Sequence, residues 1–179
     1  MYQKTNSEIE NKIQNILEGE YEISVLGTNG KDNFPFLSKI IPMYKNKRLY
    51  ILISDLSEHT KNIVENHKVS IYFSLKELNK TKSNNPRLTI NGIIQKHTLK
   101  KESEEFSDLL NSYHKIESGS KMWGMFTDFN FYSIKPLRAL YIEGFGKAYQ
   151  KNYKTKIRFT KTLKPYLDQR LKALKRLNF

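Results

Sequence analysis

Apolar positions along the chain change period several times, and each change marks an element. From Ser7 to Glu18, Ile9, Ile13, Ile16 and Leu17 recur at helical spacing, which predicts an amphipathic helix. Ser7 and Glu10 have the spacing of a capping box, and Gly19 stands where a helix commonly stops. The runs YEISVL, PFLSKII and RLYILI follow, separated by Gly27 to Gly30 and by YKNK, and they predict three antiparallel strands. A short helix is predicted after SDLSEHTKNI. VSIYFSL is a further strand, NKTKSNNP a loop and RLTINGIIQ another strand. Gly92 inside that strand predicts a bulge or a close approach. Glu102 to Ile116 is a second amphipathic helix with Phe106, Leu109, Leu110 and Tyr113 on one face. FNFYSI and RALYIEGFGKAY are the last two strands, and Lys164 to Leu177 carries leucines at helical spacing.

Six or seven short strands joined by tight turns favour antiparallel pairing. Such a sheet avoids open edges by curling into a barrel or by dimerising. The chain has 179 residues, enough for one domain with a real core. It contains no cysteine, which excludes disulfides and thiolate chemistry and predicts a cytoplasmic setting. MYQKTNSEIE is polar, without the apolar core of a signal peptide, and no apolar run is long enough to cross a bilayer, so no membrane partner is expected.

Charge divides the chain. The net charge is +13, but residues 151–179 carry ten Lys and Arg against the single acid Asp168. Residues 1–150 are therefore only mildly basic. They are read as one domain, 1–150, and 151–179 as a basic, helical extension. Interleaved aromatic residues in that extension (Tyr153, Phe159, Tyr166) leave three readings for it: docking on the body, contact with a cofactor's acidic groups, or nucleic-acid binding. Nothing elsewhere carries a nucleic-acid motif, so a basic nucleic-acid-binding protein is the outlying reading.

SDLSEHTKNI concentrates candidate chemistry. If a helix begins near Ser57, the amides of Glu58, His59 and Thr60 point out of its first turn, where the helix dipole favours an anion. The hydroxyls of Ser57 and Thr60 add donors, and His59 or Lys61 adds charge. A plainly capped surface helix fits the same residues, and Glu58 opposes a dense anion pocket. His59, His67, His97 and His114 have no companion at metal-ligand spacing, so no structural metal is expected. No nucleophile elbow, phosphate loop or dinucleotide fingerprint is present.

Three segments in order carry a family resemblance. RLYILISDLSEHTKNIVENHKVSIYFSL resembles the flavin-phosphate segment of the pyridoxamine 5'-phosphate oxidase-like, FMN-binding split-barrel superfamily. Its Ser54, Leu56, His59, Thr60 and Asn62 are similar to the wording of the HugZ-type heme-utilisation branch. PFLSKIIP resembles that family's second strand, and TDFNFYSIKPLRALYIEGFGKAY its closing strands. The resemblance covers residues 20–150. It implies a mainly β fold with helices: a six-stranded antiparallel split β-barrel, homodimeric, with cofactors at the subunit interface.

Carried over by position, the resemblance places Ser54, Thr60 and Asn62 near the cofactor's acidic groups with His59 beside them. It puts Ser38, between Leu37 and Lys39, along the ring, and Arg87 on the cofactor. The implied activity is an FMN-dependent oxidoreductase taking electrons from a small donor. The alternatives are a heme-binding or heme-degrading protein and a non-catalytic cofactor carrier. FMN needs a phosphate seat and an apolar face, whereas heme needs an axial ligand. HugZ-type proteins draw that ligand from a C-terminal segment, and here no histidine follows His114. Tyr149, Tyr153 and Tyr166 remain as tail ligands, or a histidine of a second copy.

Overall fold

The computed structural model describes residues 2–153. Nine strands and four helices follow in chain order: β1 (Gln3–Lys4), α1 (Ser7–Glu18), β2 (Ile23–Asn29), β3 (Pro35–Lys39), β4 (Met43–Lys45), β5 (Arg48–Ser54), α2 (Glu58–Glu65), β6 (Lys68–Ser74), β7 (Arg87–Lys96), α3 (Glu104–His114), α4 (Ser120–Met125), β8 (Phe129–Gly144) and β9 (Lys147–Asn152). All nine strands belong to one sheet, in the order β1-β9-β8-β7-β6-β2-β3, with β4 and β5 joined through the β5–β8 pair. Nine strands thus stand where six were expected. Every pairing is antiparallel except β1 with β9, a two-residue parallel strap that carries too few apolar residues to be read from sequence.

α1 spans the expected residues, but its cap is different. Asn6, not Ser7, is the N-cap, and its Oδ1 accepts from the Ile9 amide at 2.9 Å. Glu10 turns instead to Thr5 and Lys151. Gly19 ends the helix at φ 130°, a conformation that favours glycine, and donates its N–H to the Asn15 and Ile16 carbonyls. At the β4–β5 hairpin Asn46 and Lys47 both take positive φ (51° and 60°), the type I′ geometry that matches strand twist.

β8 runs sixteen residues where two strands were expected. FNFYSI and RALYIEGFGKAY were expected as separate strands, yet one strand runs from Phe129 through Pro136 to Gly144. Gly92 pairs with Pro136 and Asn91 with Arg138, so Leu137 is the extra residue of a bulge. A proline at a bulge leaves the ladder without a missing donor. One edge of β8 pairs with β7; the other pairs first with β5 (Phe129 to Ile134) and then with β9 (Arg138 to Gly144). β5 and β9 diverge from a shared strand, and the sheet is not closed.

The strand pattern explains two cores. On β5, Leu49, Ile51 and Ile53 face the main core with Leu26, Ile71, Phe73, Leu88 and Ile90, which α1 covers with Ile9, Ile13, Ile16 and Leu17. Tyr50 and Leu52 face the other way, onto Phe106, Leu109, Tyr113 and Phe131. RLYILI reads as an unbroken apolar run because both its faces are buried. Each such side chain contributes about 1.5–3 kcal/mol. α3 lies close to its expected span, with Ser103 as its cap. α4 was not anticipated: SKMWGM is six residues long and has no strong period.

The expected helical extension lies outside the described residues, as do Phe159 and Tyr166. β9 runs past the boundary drawn at residue 150, and Tyr153, half-buried against the main core, donates its amide to the Leu137 carbonyl at 2.9 Å. Among the described residues no helix is long and apolar enough to cross a membrane.

Candidate functional site

β5 leads through Ser54 into α2, and this corner is held by its own polar groups. The Ser54 hydroxyl donates to the Asp128 carboxylate and accepts from the Leu56 amide at 3.1 Å. The Thr60 hydroxyl donates to the Ser54 carbonyl at 2.7 Å, and Asn62 Nδ2 donates to Thr28 Oγ1 at 3.1 Å. Thr60 and Asn62 are 2% and 4% exposed. Three side chains expected to reach a ligand therefore build the corner, because the chain has to fix a helix start against two strands.

Ser57 is the N-cap position of α2, but its side chain makes no cap bond. The amides of Thr60 and Lys61 donate to the Ser57 carbonyl at 3.0 and 3.1 Å, so Thr60 does not offer a free N–H as the sequence suggested. The amides of Glu58 and His59 remain without a partner among the described residues.

Beside this corner lies a cavity of about 810 Å³. α2 supplies Thr60, Asn62 and Val64 to its wall, and the Gly30 to Asp32 loop and the ends of β7 and β8 complete it. Its lysines are each set against an acid. Lys61 meets Glu58 at 3.4 Å, Lys31 meets Glu65 at 3.5 Å, and Lys96 meets Asp55 at 2.6 Å. Asp55 also accepts from Asn130 Nδ2 at 2.8 Å and from the Tyr132 hydroxyl at 2.9 Å. Burial, reinforced by the Asp55 carboxylate, pushes the Tyr132 hydroxyl well above the ordinary tyrosine range, so it stays a neutral donor.

Sequence reasoning missed this Asp55 cluster. Asp55 lies inside SDLSEHTKNI, but Lys96 and Tyr132 come 41 and 77 residues later, and only the sheet brings them together.

His59 is half-buried, and its Nε2 has no partner; desolvation lowers its pKa from 6.5. Ser38 shares the register position of buried Leu26, and its Oγ is likewise buried and unpartnered. Arg87 is not brought to this cavity within one chain. It begins β7, and Lys96, at the cavity, ends it, roughly 30 Å away at the usual strand rise. Of the other histidines, His97 Nε2 lies 2.8 Å from Ser133 Oγ, and His114 Nδ1 is buried without a partner. Among the described residues no three metal-ligating side chains converge.

An open, divergent sheet with a helix-capped corner over a ligand-sized cavity defines the split-barrel class. The chain belongs to the CREG beta-barrel family, whose model matches residues 28–155. No curated protein matches it by sequence. Among solved structures, Campylobacter jejuni ChuZ is similar with TM-score 0.72 and 21% identity over 84% of this chain and 61% of that one. HutZ, the heme storage protein from Vibrio cholerae, is similar with TM-score 0.60 and 19% identity over 71% and 89%. A Clostridium acetobutylicum protein of the pyridoxinephosphate oxidase family, related to general stress protein 26, is similar with TM-score 0.58 and 16% identity over 82% and 96%. At these identities the likeness is one of fold.

Proposed function

We propose that the protein is an FMN-binding oxidoreductase, a homodimeric split barrel that holds its cofactor against the α2 corner. The observation that carries this reading is the cavity of about 810 Å³ beside the first turn of α2, which falls within the usual size of cofactor sites. The donor set fits the group. Lys31–Glu65 and Lys61–Glu58 are exposed pairs at 3.5 and 3.4 Å, worth at most about 1 kcal/mol each, so a phosphate can draw both lysines away from their acids. The free amides of Glu58 and His59 add uncharged donors at the positive end of the helix. His59 Nε2 is buried without a partner next to Thr60, which lines the cavity; His59 and Ser38 do not themselves line it. Val64, 68% exposed, supplies apolar surface on the cavity wall, while Phe34 and Leu37, 72% and 68% exposed, lie outside that wall and offer apolar surface to a second copy.

Bound FMN supplies the electron relay between a reduced donor and a small acceptor. The chain's residues then fix the phosphate, keep the Tyr132 hydroxyl protonated and hold Lys96 in place through Asp55. Without turnover, the same site describes a cofactor carrier.

Heme is the second reading. It is favoured by a buried histidine nitrogen without a partner at the α2 corner and by likeness to a heme storage protein. Separate titrations of the purified full chain with FMN and with hemin test both. Saturable quenching of flavin fluorescence, weakened by Lys31→Glu with Lys61→Glu, is expected. A Soret band that saturates at one heme per chain, with no response to FMN, would replace the first reading by the second. Oxidation of a reduced nicotinamide by the FMN-loaded protein separates enzyme from carrier.

A further inference from the structure

Beside the last turn of α1 lies a groove of about 460 Å³, remote in sequence from the α2 corner. Part of its wall is apolar: Leu17, Ile40, Met43 and Ile116, the last 48% exposed. Glu18 and Glu22 line it as well. α1 ends here with the negative pole of its dipole and no base in its last turn. Glu18, Glu20 and Glu22 follow at alternate positions, and none of them pairs with a cation among the described residues. Lys39, also on the wall, is no exception. On a chain of net charge +13 this surface is acidic and half apolar.

The described chain ends beside it. Tyr44 belongs to the groove wall, and Tyr153 packs with it against the main core. Burial raises the Tyr153 pKa to about 12, and the nearby Tyr44 and Glu10 add to the rise. Two residues earlier, Lys151 pairs with Glu10 of α1 at 3.0 Å and lies over the Tyr153 ring at 5.6 Å. The first base of the extension is thus already set against an acid of α1. From Glu10 to Glu18 is a further rise of about 12 Å along the helix. Residues 154–179 carry nine Lys and Arg against the single acid Asp168, and they repeat leucine at Leu167, Leu171, Leu174 and Leu177. A basic segment with one apolar stripe is the complement of an acidic groove with an apolar wall.

From the charge, the apolar wall and the place where the chain leaves, we infer that this groove is the docking site of the chain's own C-terminal segment, residues 154–179. Its leucines meet Leu17, Ile40 and Ile116, and its bases meet Glu18 and Glu22. The inference does not depend on the cofactor of the α2 cavity.

Carbodiimide cross-linking of the full chain, mapped by mass spectrometry, tests it. Links are expected from Lys161, Lys164, Lys172 or Lys175 to Glu18, Glu20 or Glu22. In a mixture of light and isotope-heavy protein they should join residues of one isotope. Leu171→Gln with Leu174→Gln keeps every charge and should cut these links about tenfold, with FMN titrations unchanged. Ile116→Gln, on the groove wall, should act in the same direction and serves should the leucine variant misfold. Absence of the links overturns the inference. So do links that survive both variants, since charge alone then brings the segment there, and links that join light to heavy chains, since a second copy then supplies it. Links that run instead to the acids of α3, or a loss of FMN affinity in the leucine variant, place the segment elsewhere and overturn it too. Where FMN does not bind at all, the expected links support this docking and only the α2 reading is removed.

Discussion

β7 has a cation at each end, and the two are held in opposite ways. Lys96 is neutralised: its ammonium lies 2.6 Å from the Asp55 carboxylate and over the Tyr132 ring at 5.9 Å. Arg87 is anchored by carbonyl oxygens alone, which fix its position without cancelling its charge. A cation bound to a carboxylate belongs to the architecture. A cation bound to carbonyls keeps its field for something else. Sequence position does not distinguish them, since each is a basic residue at a strand terminus.

The sharpest way to break the comparison is to damage the strand between them. At Gly92 a Cβ would meet Ile134 Cγ2 at 2.6 Å and the Lys135 carbonyl oxygen at 2.7 Å. The second is backbone and cannot rotate away, so Gly92→Val should destabilise by about 3 kcal/mol, read as a fall in Tm, and disturb both ends together. Asp55→Ala strands an ammonium, an amide and a phenol at once, and about 2 kcal/mol should be lost in denaturant unfolding. Arg87→Ala should cost less than about 0.5 kcal/mol in the same assay. Equal losses would erase the distinction between the two cations.

Thr60→Ala with Asn62→Ala probes the α2 corner less cleanly. Both side chains are buried and hydrogen-bonded, so the pair should lose about 2 kcal/mol of stability as well as ligand affinity. Lys31→Glu with Lys61→Glu is the better instrument: Tm should hold while FMN affinity falls about tenfold.

The smallest effect is one of pH. Burial lowers the pKa of His59, and burial followed by the Arg48 guanidinium lowers that of His97, both from 6.5. The folded state therefore takes up these protons less readily than the unfolded chain. Stability should be full above pH 6.5 and decline as the pH drops below it. His97→Gln, which can still bond Ser133, should flatten that decline in urea titrations between pH 7 and 5, by about 1 kcal/mol or less. An unchanged slope would remove His97 from the account.

The sequence was most legible where one period dominates. α1 was found to the residue, and the Gly92 bulge was visible because glycine in a strand has few other uses. The corner at Ser54 to Asn62 was located from its mixture of hydroxyls, amide and histidine. The bonds those groups make were not visible, because Thr28 comes from β2 and Asp128 from the turn before β8. FNFYSI and RALYIEGFGKAY were read as two strands where one runs, because Pro136 between them is harmless only at a bulge, and that bulge is set by the register of β8 against β7. Arg87 was grouped with the α2 corner by resemblance to an interface site, and the run of β7 shows only that the two lie at opposite ends of the sheet within one chain.

β8 exchanges partners along one edge, from β5 to β9, across Lys135 to Leu137. Each half thus has its alignment set by a different neighbour. An insertion in that joint leaves the β5 and β9 ladders in register and meets only the β7 ladder, which pairs Lys135 and Pro136 and is already relieved at Leu137, whereas one inside either half would slide two ladders. The joint is therefore where a change of length in β8 would disturb one neighbouring strand rather than two.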